Sequence, residues 1–537
     1  MKPVGHSLVQ RPPSGDFDVI VIGSGIGGLV AAALLAREGG KRVLVLERHY
    51  RVGGYTHVFT RPGFEWDVGV HYVGSVGPGE LLRVLFDRVS NAKLEWARLP
   101  DVYDAIEIAG VRYEHRAGAK TFVDTLAASF PAQRTALEQY VRRVINFSRK
   151  SQLELLTRVT RTKPPTLTGL QLKAVAPDWS RTTTLEALTE LGFSRRERAV
   201  LAGQYGDYGP APGRSSFAIH AGVVQHYLEG AWYPLGGSSR FAETLVPVIE
   251  AAGGHVATGA EVAEVLVEHE RAVGVRLSTG RELRAPLVVS DAGPANTYRR
   301  LLPSAHRPRE LLQAMDEALP STGYLCLYVG LKGTDAELGL TGTNLWLHPG
   351  DDYDDNIACF DVDPHAPFPV LYISFPSAKD PDFQRRHPGR ATLEVITMAN
   401  WTWFERWADT RWQKRGAEYD AFKRQFQDRL LNALLERLPQ LRGRIAHVEL
   451  STPLSTAHFS GHPRGELYGL EGTPARFRVP LRVQSHLEGL LLTGADLATP
   501  GVAGAAFAGA LAAASILGPS RLWEWLPLEN TFGRGFV

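Results

Sequence analysis

Cysteine is nearly absent from this chain, with only Cys326 and Cys359 among its 537 residues. Two cysteines cannot build the disulfide framework of a small secreted scaffold, and they fit a reducing compartment such as the cytoplasm. Charge of one sign is equally scarce. A formal net charge of +2 is too small for bulk attraction to nucleic acid, so no nucleic-acid partner is expected. No segment has the roughly eighteen uninterrupted apolar residues that a membrane-spanning helix needs. The nearest, from Gly501 to Leu517, is rich in Gly and Ala and follows Asp496, so it reads as a closely packed helix. Residues 1–15 contain no apolar run either, and are expected to form a flexible N-terminus with no secretory signal. There is no G-x-S-x-G elbow, no H-E-x-x-H and no metal-type cysteine spacing. His458 and His462 stand four apart, but Gly461 and Pro463 argue against a helix there, so no metal pair is expected. The acidic run from Asp351 to Asp355 reads as a solvated loop.

What is present begins at Phe17. The run FDVIVI suits a buried parallel strand and leads directly into Gly23, Ser24, Gly25, Ile26, Gly27 and Gly28. LVAAALLARE then predicts a helix closed by Gly39 and Gly40, and a second buried strand from Arg42 to Leu46 ends on Glu47. Each piece has a physical task. Gly23 permits the tight turn, Gly25 lets backbone amides approach a pyrophosphate, and Gly28 lets the helix pack on the strand. The helix N-terminus offers free N–H groups to the phosphate charge, and Glu47 is placed to accept from ribose hydroxyls. Glycine makes up 54 of 537 residues, so the glycine spacing alone decides little. The strand, helix, second strand and terminal acid together make the fingerprint specific.

Beyond Glu47, the segment Arg48-His-Tyr-Arg-Val-Gly53-Gly54 resembles the extended FAD motif of the glutathione-reductase-like flavoproteins, which implies FAD as the cofactor. Alternating short strands between His255 and Ala292 resemble the second half of such a domain, in which the backbone at Val262 would meet the adenine. Near the end, a strand leads into Thr493-Gly494-Ala-Asp496 and a small-residue helix. By the same resemblance Asp496 would bond the ribityl chain or a phosphate-side water, and the helix start at Gly501 and Val502 would face the flavin pyrimidine. An N-cap role for Asp496 is compatible with this. The predicted fold is α/β with an α+β cap. A Rossmann-like FAD domain is assembled from 16–100, 232–300 and 480–520, and 101–231 with 301–479 form the inserted substrate domain. No second Gly-rich fingerprint appears in strand–helix context, which leaves the electron donor or acceptor open.

Several long segments carry a closer resemblance. They are FEWDVGVHYVG at 64–74, GQYGDYGPAPGRSSFAIHAGVVQHYLEGAWYPLGGSSRFAETLVPVIEAAGG at 203–254, WFERWADTRWQKRG at 403–416, ELSTPLSTAHFSGHPRGELYGLEGTP at 449–474 and LLLTGADLATPGVAGA at 491–506. Through them the chain resembles the retinol saturase group, within the wider phytoene desaturase and carotenoid isomerase superfamily. That resemblance implies an FAD-dependent enzyme acting on C=C bonds of an apolar polyene or isoprenoid, as a saturase, desaturase or isomerase. A flavin amine oxidase and a non-catalytic carotenoid-binding flavoprotein are the competing readings. Segments expected near the flavin contain His71, Tyr72, Tyr205, Asp207, Tyr208, His220, His226 and Tyr227. From these, His71 with Tyr205 or Asp207 is taken as the proton relay, because hydride transfer to one alkene carbon requires a proton at its neighbour. Finally, Arg142, Arg143, Arg149, Lys150, Arg158, Arg161 and Lys163 interleave with apolar residues between Val141 and Lys163. This suits either a helix face on the cap or docking on the anionic cytoplasmic face of a membrane.

Overall fold

The computed structural model describes residues 4–157 and 180–526. Its centre is a six-stranded sheet in which every pairing is parallel. Val19–Ile22 lies between Val43–Glu47 and Leu287–Ser290. Leu490–Leu492 extends one side, and His255–Thr258 the other. These strands are β-branched or Leu-rich and almost wholly buried, as expected of parallel strands covered on both faces. One correction falls at the N-terminus. His6–Ser7 pairs with Ala257 and Thr258, and the Leu8 amide donates to Thr258 O at 2.9 Å, so part of 1–15 is an ordered edge strand.

The helix Ile26–Gly39 is buried without interruption from Ile26 to Ala36. It is enclosed by the helices Arg240–Ala251 and Gly501–Leu517. Small residues allow that enclosure, since two helices meet closely only where side chains are absent or short. The Gly/Ala-rich C-terminal helix is therefore a packing element, and among the described residues no helix is long and apolar enough to cross a membrane. An antiparallel meander, Val262–Glu268, Arg271–Leu277 and Glu282–Arg284, packs against Leu287–Ser290.

Both insertions contribute to a second, seven-stranded sheet. Its order is Ile445–Ser451, Gly323–Lys332, Arg390–Ala399, Leu371–Ser374, Asn344–His348, Val102–Ile108 and Val111–Arg116. The parallel pairing of Asn344–His348 with Val102–Ile108 joins the two insertions. The hairpin Val58–Arg61 and Phe64–Asp67 comes from the N-terminal segment but packs on this sheet, with Phe64 and Trp66 against Cys326 and Tyr328. It thereby delivers the next residues, Val68 to Tyr72, to the seam between the domains.

Candidate active site

A cavity of about 820 Å³ opens where the parallel strands end and runs to the inner face of the seven-stranded sheet. Its first half is built by the Gly-rich turn. Gly23, Ser24, Gly25, Ile26, Gly27, Glu47, Arg48, Gly54, Val262, Gly494, Asp496, Gly501 and Val502 all line it. Gly25 caps the helix with no side-chain bond, so the first helical amides face the cavity. Glu47 accepts from the Ser24 amide at 2.9 Å, the Ser24 hydroxyl at 2.6 Å and the His49 amide at 2.7 Å. An ionised carboxylate has about four acceptor sites, so one remains for a hydroxyl. Gly54 lies at φ +55°, and a Cβ there would stand 2.9 Å from Gly25 Cα, so two stretches of bare backbone meet at this wall. Gly28 and Gly53 stand behind the wall. Gly28 has no space beside Gly23 O, and the Gly53 amide donates to Ser24 Oγ at 3.1 Å.

Sequence reasoning missed Asp291, which follows the strand Leu287–Ser290 and lines the cavity. A Cβ on Gly25 would meet its Oδ2 at 2.5 Å, and one on Gly27 its Oδ1 at 2.8 Å. Burial pushes its carboxyl up to about 7, with Glu47 raising it further and the Gly25 and Gly28 amides opposing. Thr493 Oγ1, buried without a partner, stands where a Cβ on Gly27 would meet it at 3.0 Å. Bare backbone at the head of a helix, an orphaned hydroxyl and a carboxylate with spare capacity fit a bound dinucleotide. Asp496 is drawn toward the cap, accepting from the Leu470 amide at 2.8 Å and from Arg476 at 3.3 Å. It is not the N-cap of the helix Gly501–Leu517, because Pro500 holds that position.

The second half of the cavity is lined by Phe59, Tyr324, Tyr328, Ile396, Leu450 and Tyr468. Here Glu449 is held by Arg61 through a two-pronged pair at 2.8 and 2.7 Å. His71 lines the cavity between the two halves. Burial, then the Lys379 ammonium, pulls its imidazole down to about 3, against Asp67. Its Nδ1 lies 2.8 Å from Glu394 Oε2, on the fully buried strand residue behind it. Burial pushes Glu394 up to about 8 against the pull of Lys379 and the Asp67 amide. Asp67, which accepts from Tyr233 and from Ser238, is raised to about 6 by burial and by Glu394.

The structure separates His71 from the two residues paired with it by sequence. The Tyr205 side chain does not line the cavity; its hydroxyl donates to Pro369 O at 3.3 Å and its ring packs on Tyr353. Nor does the Asp207 side chain, whose Oδ2 accepts from Tyr72 OH at 2.8 Å. That segment meets the cavity wall through the Gly206 carbonyl, which accepts from the lining residues Tyr324 at 2.9 Å and Tyr468 at 3.3 Å. The other candidates have packing tasks. His220 bridges Tyr140 and Tyr208, His226 accepts from the Gly74 amide, and Tyr227 stacks on Tyr72 at 4.1 Å. Among the cap tryptophans, Trp407 is buried, whereas Trp412 lines the cavity and stacks on His458.

Three further expectations meet the structure here. The helix Pro453–Ser460 does include His458, ending at the left-handed Gly461, so His462 falls beyond it. No metal-type cluster occurs among the described residues. Asp352 caps the helix Tyr353–Val362, and Asp351 pairs with Arg196, which makes the acidic run a helix start. In the basic stretch Val141 and Val144 are buried, while Arg142 and Arg143 pair with Glu138 and Glu190. The helix that carries them continues to Thr157, and Arg158, Arg161 and Lys163 lie outside the described residues.

A parallel dinucleotide-binding sheet, a second sheet over its open end and one cavity shared between them define a flavoprotein oxidoreductase of the glutathione-reductase fold type. Residues 26–517 match the family of flavin containing amine oxidoreductases. The all-trans-retinol 13,14-reductase of Danio rerio is 36 % identical over 95 % of this chain and 87 % of its own length. That of Homo sapiens is 35 % identical over 93 % and 85 %. Among solved structures, a cyclohexylamine oxidase from Brevibacterium oxydans superposes with a TM-score of 0.57, covering 95 % of this chain and all of that one at 19 % identity, and so shares the fold. The chain belongs to the flavin containing amine oxidoreductase family and, within it, to the all-trans-retinol 13,14-reductase group.

Proposed function

We propose that this chain is an FAD-dependent reductase of a carbon–carbon double bond in an apolar polyene, of the kind its retinol-reductase relatives are named for. The observation that carries the reading is the continuity of the cavity, from the Gly-rich turn past His71 to an aromatic and aliphatic wall. Bound there, reduced FAD would supply a hydride to one alkene carbon. The chain's own work is to hold an apolar chain away from water and to place a proton at the neighbouring carbon, for which His71 is the titratable group at the junction. A cationic amine is poorly served on that wall, because Glu449 is already neutralised by Arg61.

The test is anaerobic mixing of pre-reduced, FAD-loaded protein with all-trans-retinol and several carotenoids, following the flavin and polyene bands together. Flavin reoxidation with a blue-shifted polyene supports the reductase. Reduction of the oxidised protein by a polyene that shifts red would make it a desaturase. An altered polyene spectrum without net flavin change would make it an isomerase. No change in any arm overturns polyene chemistry for those compounds.

An apolar substrate partitions into lipid, and this supports delivery from the cytoplasmic face of a membrane. Co-sedimentation of the protein with anionic vesicles at low salt tests it, and a protein that stays in the supernatant overturns it.

A further inference from the structure

Glu394 is a buried carboxyl with little around it to compensate a charge. It is fully buried at the centre of the strand Arg390–Ala399, with the Asp67 amide as its backbone donor and no side-chain hydrogen bond of good geometry. An ionised carboxylate stripped of water and given so few donors is strongly disfavoured, which favours the protonated form of this group. Its near neighbours are few. From the N-terminal segment Asp67 and His71 face it, from the strand Gly323–Lys332 Cys326 and Tyr328, and beyond Asp67 the Tyr233 hydroxyl. The Lys379 ammonium is the one cation, and it donates to His71 O at 2.8 Å and to Ser374 Oγ at 2.7 Å. His71 alone of this set joins Glu394 to the cavity at hydrogen-bond distance, 2.8 Å from Nδ1 to Oε2.

We propose that Glu394 is the proton store for the reaction and that it acts through His71, the donor at the cavity wall. The proposal rests on the polyene-reductase reading. A neutral imidazole protonated on Nε2 gives that proton to one alkene carbon as hydride from reduced flavin reaches the other. The electron pair of the double bond forms the new C–H bond. In the same event Nδ1 takes the Glu394 proton, so the imidazole ends neutral in its other tautomer and Glu394 ends as a carboxylate beside Lys379. No imidazolium is required, in accord with an imidazole whose protonation is suppressed by burial. The carboxyl is pushed up to about 8, so its proton is present at neutral pH and lost above that. Lys379, held on the His71 carbonyl, is the positioning residue that stabilises the carboxylate left behind.

The experiment compares wild type, Glu394→Gln, Glu394→Asp and His71→Gln, each loaded with FAD. Two readouts are taken: the rate of substrate-dependent flavin reoxidation against pH, and the infrared carbonyl band of protonated carboxyls in protein without substrate. Expected in wild type is a rate that falls as pH rises through about 8, together with a carboxyl band that fades over the same range. Glu394→Gln should lose that band, slow the reaction about a hundredfold or more and abolish the fall. Glu394→Asp should restore part of both, and His71→Gln should keep the band but lose the rate. Glu394→Gln that turns over within about threefold of wild type with an unchanged pH profile overturns the relay. So does a wild-type spectrum at neutral pH with no band removed by that substitution. Wild type that reduces no polyene overturns the functional reading itself, a result separate from either of these.

Discussion

Gly509, midway along the C-terminal helix, presses its backbone onto the carbonyl of Gly27 at the head of the first helix, with no space for a Cβ. The far side of Gly27 is equally close, since a Cβ there would lie 3.0 Å from the Gly494 amide. Two segments separated by most of the chain thus touch backbone to backbone at the turn that faces the cavity.

Gly509→Ala therefore forces the helix Gly501–Leu517 away from the first. Overpacking of this kind costs about 1–3 kcal/mol. The expected result is a lower urea midpoint with an unchanged slope, and weaker flavin retention, because the displaced helix carries Gly501 and Val502 at the cavity. Unchanged stability would mean that the helix shifts without strain.

Gly54→Ala combines a left-handed backbone with a clash at Gly25 Cα. Backbone strain of this type costs about 1–3 kcal/mol. Purified protein should carry well under half of the wild-type flavin, read from the absorbance ratio, while retaining its secondary structure by circular dichroism. Full flavin content would place the Gly54 wall outside the cofactor site.

Asp291 sets a pH dependence with a definite sign. Its carboxyl titrates near 7 in the folded chain against an ordinary 3.8, so the folded state binds its proton more tightly than the unfolded state. Ionised Asp291 opposes folding above pH 7, and this penalty is relieved as pH falls from about 7 toward 4. Asp291→Asn should raise the melting temperature of flavin-free protein clearly at pH 8 and much less at pH 5. Equal shifts at both values would exclude titration of Asp291 as the cause.

Tyr205 and Asp207 should behave as structural residues. Tyr205→Phe removes a hydroxyl bonded to a backbone carbonyl and should leave the reaction rate within about threefold, costing about 1 kcal/mol of stability. Asp207→Ala leaves the Tyr72 hydroxyl without one of its partners and should cost about 1–3 kcal/mol by denaturant titration. A hundredfold loss of rate with intact stability for either would return it to the reaction.

Much of the cofactor half was legible because it depends on local rules. A buried strand, a Gly-rich turn and a helix start are contiguous from Phe17 to Gly28, and Glu47 ends the very next strand. Asp291 escaped notice because its meaning comes from pairing in space. The strand Leu287–Ser290 lies beside Val19–Ile22, and only that register brings its next residue to the Gly-rich turn. Glu394 and Lys379 gave no local signal at all. One is a single acid in an apolar strand, and the other ends a short helical turn.

What the sequence by itself determined was the strand, Gly-rich turn, helix and terminal acid of the dinucleotide fingerprint, which follow from short-range periodicity and residue spacing; the discontinuous assembly and the family came from resemblance over long matched segments. Only the tertiary structure decided which side chains reach the cavity. In the segment GQYGDYG it turned the Gly206 carbonyl toward the wall and buried Tyr205 and Asp207 behind it. It also placed the N-terminal hairpin on the cap sheet, so that His71 stands against Glu394, more than three hundred residues away. Desolvation is the physical reason. A carboxyl becomes a proton store by losing water, and how much water it loses is a property of the packed core around it.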